Sequence, residues 1–262
     1  MLTQVSCTPD RPHTTGRRDS GPVALAVDLG SCTTGVWAAR RGSISASCTD
    51  PGSATAEAVR RGRIVDADEC IASLSALVRR YVEPVPRGGV IVACRPVLSG
   101  EAELRVSRRV LQAVFQPRRV LFIDSVRAAA IGSGAAAGTL LVVDVGAELT
   151  EVALLREGRV TAARRIDIGV RDLARGATLE LITDAVASHV NAVRAGPGAA
   201  DLPAALRRGA LLVGAGASQP ELTKALARTL RAPVHRAASP VTAALHGAGQ
   251  VAKSILRHPA GA

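Results

Sequence analysis

Two segments of the chain end an apolar run in a carboxylate and follow it with a glycine two residues on. Val23 to Asp28 (VALAVD) leads to Gly30, and Thr139 to Asp144 (TLLVVD) leads to Gly146. A glycine-assisted turn presents successive backbone N–H groups to an anion, and two such turns face to face can grip a polyphosphate. A carboxylate at each strand end can hold a hydrated Mg²⁺ between them. A third segment, Val213 to Ser218 (VGAGAS), puts small residues at a strand-to-helix junction, where a planar base can approach the backbone. A lone Asp-x-Gly is most often a turn after a strand. Three such signals in order, separated by α/β sequence, are far more specific.

The elements needed to position these groups are readable nearby. Each carboxylate ends a buried strand, and a returning strand follows it, at Gly35–Ala39 in the first case and Glu151–Leu155 in the second. Between the two copies, Asp66 opens a helix with Glu69 at capping-box spacing. Ile71, Leu74, Leu77, Val78 and Tyr81 fall on one face of that helix. Gly89 to Ala93 and Arg119 to Asp124 read as strands, with a helix from Glu101 to Phe115 between them and a short Ala-rich helix at Ala128–Gly134. After the second copy come a strand over Val160–Ile168, a helix over Leu179–Val193 and a strand over Ala210–Val213. Helices near Pro220–Leu230 and Val241–His246 finish the chain. Ser43 to Gly62 is polar, weakly periodic and poor in core residues. Alternating strands and helices define an α/β fold.

Composition bounds the function. The core must be aliphatic, because hydrophobic residues are 47% of the chain and aromatics 2%. No apolar run reaches the roughly 18 residues that span a bilayer. Residues 1–22 read as a polar tail without a signal peptide, which points to the cytoplasm. The net charge of +11 comes largely from arginine pairs spread along the chain. With no helix-turn-helix, zinc finger or aromatic platform beside them, they argue against a nucleic-acid interface. A basic face toward anionic lipid or an acidic partner stays open. Five scattered cysteines, an odd number with no C-x-x-C pair, argue against both a disulfide framework and a zinc site. Single histidines on helices or loops offer no Ser-His-Asp arrangement.

At the quoted loops the sequence resembles the actin, heat-shock chaperone and sugar kinase superfamily, an α/β, ribonuclease H-like duplicated fold with two similar halves around a nucleotide cleft. DLGSCTT (Asp28–Thr34) resembles its first phosphate loop, DVGAELTEVALL (Asp144–Leu155) its second, and LLVGAGA (Leu211–Ala217) its adenosine loop. Within the superfamily, RRGRIVDADE (Arg60–Glu69), IDSVRAAAIGSG (Ile123–Gly134) and APVHRAASPVTAALHGAG (Ala232–Gly249) resemble MreB, the bacterial cell-shape protein. The resemblance implies halves at 23–137 and 138–254 between tails at 1–22 and 255–262, with both outer lobes reduced. It implies ATP and Mg²⁺ as cofactors. Asp28 and Asp144 would hold the metal through water. Gly30, Ser31, Cys32, Thr33 and Thr34 would face the phosphates, as would Gly146 and Thr150, while Gly214, Ala215, Gly216 and Ala217 would meet the adenosine.

Departures from the family weaken the expected chemistry. Ala147, Glu148 and Leu149 replace glycines and threonines of the second loop, so left-handed geometry there would cost roughly 1–2 kcal/mol per residue. Glu148 also places a negative charge beside the phosphates. Ser125 occupies the position of the family's catalytic acid or amide, with Asp124 one residue early, so any hydrolysis of ATP would be slow. The reading is a divergent MreB-like protein, a weak ATP binder acting in cell shape or envelope organisation. Its partners would be a full-length MreB-type filament, itself or envelope proteins. The alternatives are a nucleotide-free pseudo-ATPase scaffold and a chaperone resembling EutJ.

Overall fold

The chain's computed structural model describes residues 23–50, 58–196 and 198–257, so the expected tail at 1–22 lies outside it. Two five-stranded mixed sheets carry the structure. In the first, β1 (Ala24–Leu29), β2 (Thr33–Ala38) and β3 (Gly42–Ser47) form an antiparallel meander. On the other side of β1 lie β6 (Val90–Arg95) and β7 (Arg119–Asp124), both parallel to it. The second sheet repeats the plan. β8 (Thr139–Val145), β9 (Thr150–Arg156) and β10 (Arg159–Ile166) form the meander, and β11 (Ala210–Val213) and β12 (Val234–Arg236) the parallel flank.

The helices obey the same duplication. α1 (Ala67–Val78) precedes β6, while α4 (Leu179–Arg194) and α5 (Leu202–Arg208) precede β11. α2 (Glu101–Phe115) joins β6 to β7 as α6 (Pro220–Leu230) joins β11 to β12. α3 (Ser125–Gly132) and α7 (Ala243–Arg257) each follow the last strand of their sheet. A small two-stranded hairpin, β4 (Val59–Arg60) and β5 (Arg63–Ile64), stands apart from both sheets.

In each meander the two inner strands are buried on both faces and the third, outer strand is more exposed. β9 is buried along nearly its whole length, consistent with its apolar run Val152–Leu155. α1 begins where the sequence places it: the Asp66 carboxylate accepts from the Asp68 and Glu69 N–H groups. The reciprocal half of the capping box is missing, since Glu69 accepts from Ser73 Oγ instead.

The halves meet through α3 and α7, whose small residues let the backbones touch. A Cβ on Gly247 would lie 1.8 Å from the Ala128 carbonyl oxygen, and one on Gly132 would lie 2.1 Å from that of Ala243. Around this crossing, Ala24, Ala26 and Val92 of the first sheet share one buried cluster with Leu140, Val142 and Leu211 of the second. Clusters confined to each half lie beneath α1 and α2 and beneath α4 and α6.

Several expectations need correction. The polar stretch 43–62 contains most of β3 and buries Ala58 and Val59, because β3 completes an edge rather than a core. β12 was not foreseen; its half-buried and exposed residues carry little apolar signal. The last helix runs from Ala243 through Arg257, beyond both His246 and Ser254. Cys32 and Cys48 form a disulfide, contrary to the reading of the scattered cysteines as arguing against a disulfide framework. The cause is β3: its register pairs Thr33 with Ser47, so the flanking cysteines sit opposite each other, 4.7 Å apart at Cα.

Candidate functional site

The ends of β1 and β8 open into a cavity between the halves. Its walls include Asp28, Gly30, Ser31, Cys32 and Thr33 from the first half. Asp144, Gly146, Glu148 and Glu151 come from the second, Val213–Ala215 from the β11 junction, and Ser125 and Ala129 from α3. The two carboxylate-glycine turns have the same backbone geometry. Gly30 N–H donates to the Thr33 carbonyl at 3.0 Å, and Gly146 N–H donates to that of Leu149 at 2.8 Å. A Cβ at Gly30 would lie 2.8 Å from Thr33 O, and one at Gly146 would lie 2.9 Å from Leu149 O, so both turns need glycine for the same reason.

Not every expected residue reaches the cavity. Thr34 is buried in β2, and Thr150 donates its hydroxyl to the Ile168 carbonyl at 2.8 Å, so neither faces a phosphate. Gly216 packs on Val145 and Leu222, and Ala217 joins the second half's core, leaving Gly214 and Ala215 at the wall. Gly214, at φ +83°, is essential to the close fit: a Cβ there would lie 2.3 Å from Asp144 Oδ1.

Three carboxylates share this space. Burial pushes Asp28 up to about 6. Burial, and then the charge of Asp28, raise Asp144 above the usual carboxylate range. Glu151 is raised by burial first and by Asp144 second, against the opposing pull of its hydrogen bonds. No ion pair with Asp28 or Asp144 occurs among the described residues, so their charges face each other without a cationic side chain between them. No group of three metal-ligating side chains occurs among the described residues. Cys94 also lines the cavity, and its thiol is pushed well up by burial and then by the three carboxylates.

Glu151 escaped the reading of the sequence as a site residue. It is buried, accepts from the Val97 N–H at 2.6 Å through Oε1, and accepts from Ser125 Oγ at 3.1 Å through Oε2. The hairpin register places it opposite Asp144, and that pairing was the available signal. Asp124 is turned away: it takes Arg95 Nε at 3.0 Å and forms no part of the cavity wall. Of these side chains Glu151 and Ser125 line the cavity, and Asp124 does not.

The second turn differs from the strained loop expected. Ala147, Glu148, Leu149 and Thr150 all keep negative φ. Val170 N–H donates to Gly146 O and Arg171 N–H to Ala147 O, pinning the loop from behind. Gly169 permits this contact, since a Cβ there would lie 2.5 Å from the Ala147 and Glu148 backbone. The charge of Glu148 is not left facing an anion either. Its carboxylate accepts from the Arg61 N–H at 3.4 Å and pairs with Arg171 and Arg175 at 3.5 and 3.4 Å.

Arg61 comes from the other half, at the tip of the β4–β5 hairpin. Its guanidinium forks onto Asp172 with two 2.8 Å bonds and also donates to the Glu148 and Asp167 carbonyls. Burial opposes the charge of Asp172, yet the Arg61 fork, the Gly169 N–H and the neighbouring arginine charges hold its carboxyl below the usual range. Arg63 on the same hairpin bridges Glu103 and Asp167, and Arg165 reaches back to Glu103. Gly62 lines the cavity beside Leu149 and Pro96. The Arg61–Asp172, Arg63–Asp167 and Arg165–Glu103 pairs join the two halves, and the cavity volume is about 130 Å³, below the roughly 300–1,000 Å³ of ligand pockets.

Two sheets of one topology, joined by crossed helices around such a cleft, constitute the actin-like ATPase fold. The chain is similar to solved structures of that superfamily, MreB among them. It aligns with Spiroplasma citri MreB5 bound to AMPPNP at TM-score 0.78 and 14% identity, covering 92% of this chain and 98% of that one. A MamK double helical filament gives TM-score 0.64 and 14% identity, with 89% and 99% covered. The ethanolamine utilization protein EutJ from Carboxydothermus hydrogenoformans gives 0.62 and 15%, with 87% and 89% covered. No protein-family profile and no curated protein sequence matches the chain. Among the described residues, no helix is long and apolar enough to cross a membrane.

Proposed function

We propose that the chain is an MreB-like actin homologue that binds ATP weakly with Mg²⁺ in this cleft, hydrolyses it slowly if at all, and works in the cytoplasm in cell-shape or envelope organisation. The observation that carries the nucleotide reading is the pair of matching glycine turns. Each follows a half-buried carboxylate, and Gly214 closes the third side against Asp144. Asp28 and Asp144 would take the hydrated Mg²⁺, whose charge offsets their mutual repulsion. Ser31, Cys32, Thr33 and Gly146 would approach the phosphates, and Gly214 and Ala215 the adenosine. Self-association, or docking on an MreB-type filament, is the assembly that fits this fold, since MamK, a protein of similar structure, forms a double helical filament.

In this reading the hairpin is a latch between the halves. A nucleotide needs more room than about 130 Å³, so its entry would part the halves, and the Arg61–Asp172 pair is one of the contacts between them. Calorimetric titration of the full chain with ATP and Mg²⁺ tests the reading. Micromolar to submillimolar binding that is lost in Asp144→Ala is the expected result, and no binding at millimolar ATP would reject it. The same null result would favour the second reading, a pseudo-ATPase scaffold. Its specific support is Glu148, a buried carboxylate held beside the glycine turn by the Arg171 and Arg175 guanidiniums and the Arg61 backbone N–H.

A further inference from the structure

A second cavity of about 520 Å³ lies at the far end of α3 from the cleft. There the C-terminal end of α3 and the first turn of α7 meet β11 and β12. Arg208, His235, Arg236 and His246 line it with Ser133 and Ser239, and no Asp or Glu does. The Arg208 guanidinium is held in place by the carbonyls of Ala135, Ala137 and Thr139. Those bonds fix its position without neutralising it: among the described residues, no carboxylate pairs with Arg208 or Arg236. The His235 ring stands over Gly209, where a Cβ would lie 2.6 Å from Nε2. Ser133 Oγ is buried without a hydrogen-bond partner among the described residues, a state that native interiors rarely leave unexplained.

We propose that this cavity binds a phosphate-bearing small molecule. Two guanidinium groups on the wall of one cavity, neither paired with a carboxylate among the described residues, favour the several oxygens of a tetrahedral phosphate over a single carboxylate. The volume falls within the range of small-molecule sites. Leu140, Leu211 and Ala237 give the ligand an apolar floor, while the lining offers no Phe, Tyr or Trp on which a nucleobase would stack. A compact phosphomonoester or pyrophosphate therefore fits better than a nucleotide. The site does not depend on the nucleotide reading of the cleft, which shares none of these side chains.

Titration of the full chain with inorganic pyrophosphate and with glycerol phosphate, read by calorimetry and by hydrogen exchange, tests the proposal. Exposed Arg236 is replaced in Arg236→Glu. Arg194→Glu, on the exposed face of α4, supplies the same change of net charge elsewhere. The expected result is submillimolar binding of at least one probe that weakens about tenfold or more in Arg236→Glu and stays within about twofold in Arg194→Glu. Exchange should slow in residues 133–139 and 235–246. Equal weakening in both variants would mean general attraction to a basic protein and would overturn the site. So would slowed exchange confined to residues 28–34 and 146–150, which would place the anion in the cleft. Absence of binding at about 10 mM of either probe would overturn it as well.

Discussion

The two glycine turns start from one backbone design and reach different chemistry. Around Gly30 the chain offers Ser31, Cys32 and Thr33 to the cleft, and the turn is tied down by the Cys32–Cys48 disulfide at the sheet edge. Around Gly146 the corresponding space holds Glu148, compensated by Arg61, Arg171 and Arg175, with residues 169–171 packed behind. Duplication therefore preserved the hydrogen bond that makes each turn and left the surrounding side chains free to diverge. The first turn retains donors an anion could use; the second has been converted into a joint between the halves.

The strongest way to break that joint is steric. Gly169→Val would drive a branched side chain into the Ala147 and Glu148 backbone, where even a Cβ lies at 2.5 Å. We expect a loss of about 3 kcal/mol or more in urea unfolding, at or above the upper end of overpacking costs. The matched change at Gly100, whose Cβ would meet nothing within 4 Å, should cost under about 1 kcal/mol. Equal losses at the two positions would show that the pinned loop is not a joint.

Next in size is Arg61→Ala. It removes the fork on Asp172 and the side-chain bonds to the Glu148 and Asp167 carbonyls, and keeps the backbone N–H bond to the Glu148 carboxylate. Because the Arg61 side chain is 30% exposed and that of Asp172 11%, the expected cost is about 2 kcal/mol, below the 3–5 kcal/mol of a fully buried pair. The latch reading predicts ATP affinity rising about tenfold while stability falls. A drop in ATP affinity would instead make Arg61 a phosphate ligand, and the comparison between the turns would need redrawing.

How these features relate to the sequence follows from their range. Strand, carboxylate and glycine lie within three residues of one another, so both turns and the duplication were legible from local pattern. The latch joins residues 61 and 172, and nothing in either segment announces the other. Glu151 stood in a segment already singled out, but its role required the hairpin register that sets it across from Asp144. The disulfide depended on β3, whose Gly-Ser-Ile-Ser-Ala-Ser sequence buries too little apolar surface to signal a strand. Glu148 was noticed for its charge. Its neutralisation by arginines from two other segments was a tertiary fact.

A third test contrasts the carboxylates of the cleft with those of the latch. Asp28, Asp144 and Glu151 have folded-state values above the unfolded ones, so the native protein binds more protons than the unfolded chain across the intervening range. Their stabilising effect is complete below their unfolded values, under about pH 4, and is lost as pH rises through about 6 for Asp28, and higher for the other two. Asp172 and Glu103 have the opposite sign, stabilising above their unfolded values and failing in acid. The melting temperature should therefore peak in mild acid and fall by several degrees toward pH 8. Mg²⁺ with ATP should flatten the alkaline limb, since a cation stabilises the ionised carboxylates, and should leave the acid limb set by Arg61 and Asp172 unchanged. A profile with no decline from pH 5 to 8 would remove the case for a cation between Asp28 and Asp144.

The smallest expected effect belongs to the first turn. The loop between Cys32 and Cys48 spans 16 residues, for which chain entropy alone suggests about 3 kcal/mol. The β2–β3 pairing already restrains that loop, including the Cys48 N–H bond to the Cys32 carbonyl. Reduction, or the paired change Cys32→Ser with Cys48→Ser, should therefore cost only about 1–2 kcal/mol in thermal unfolding. If the first turn is the one that receives an anion, the same change should loosen Ser31 and Thr33 and weaken ATP binding more than it weakens the fold. The latch pairs lie on the other turn and should not respond. A disulfide that stabilises the chain yet leaves ATP affinity untouched would make it a staple of the sheet edge, with Glu148's side of the cleft then setting the affinity.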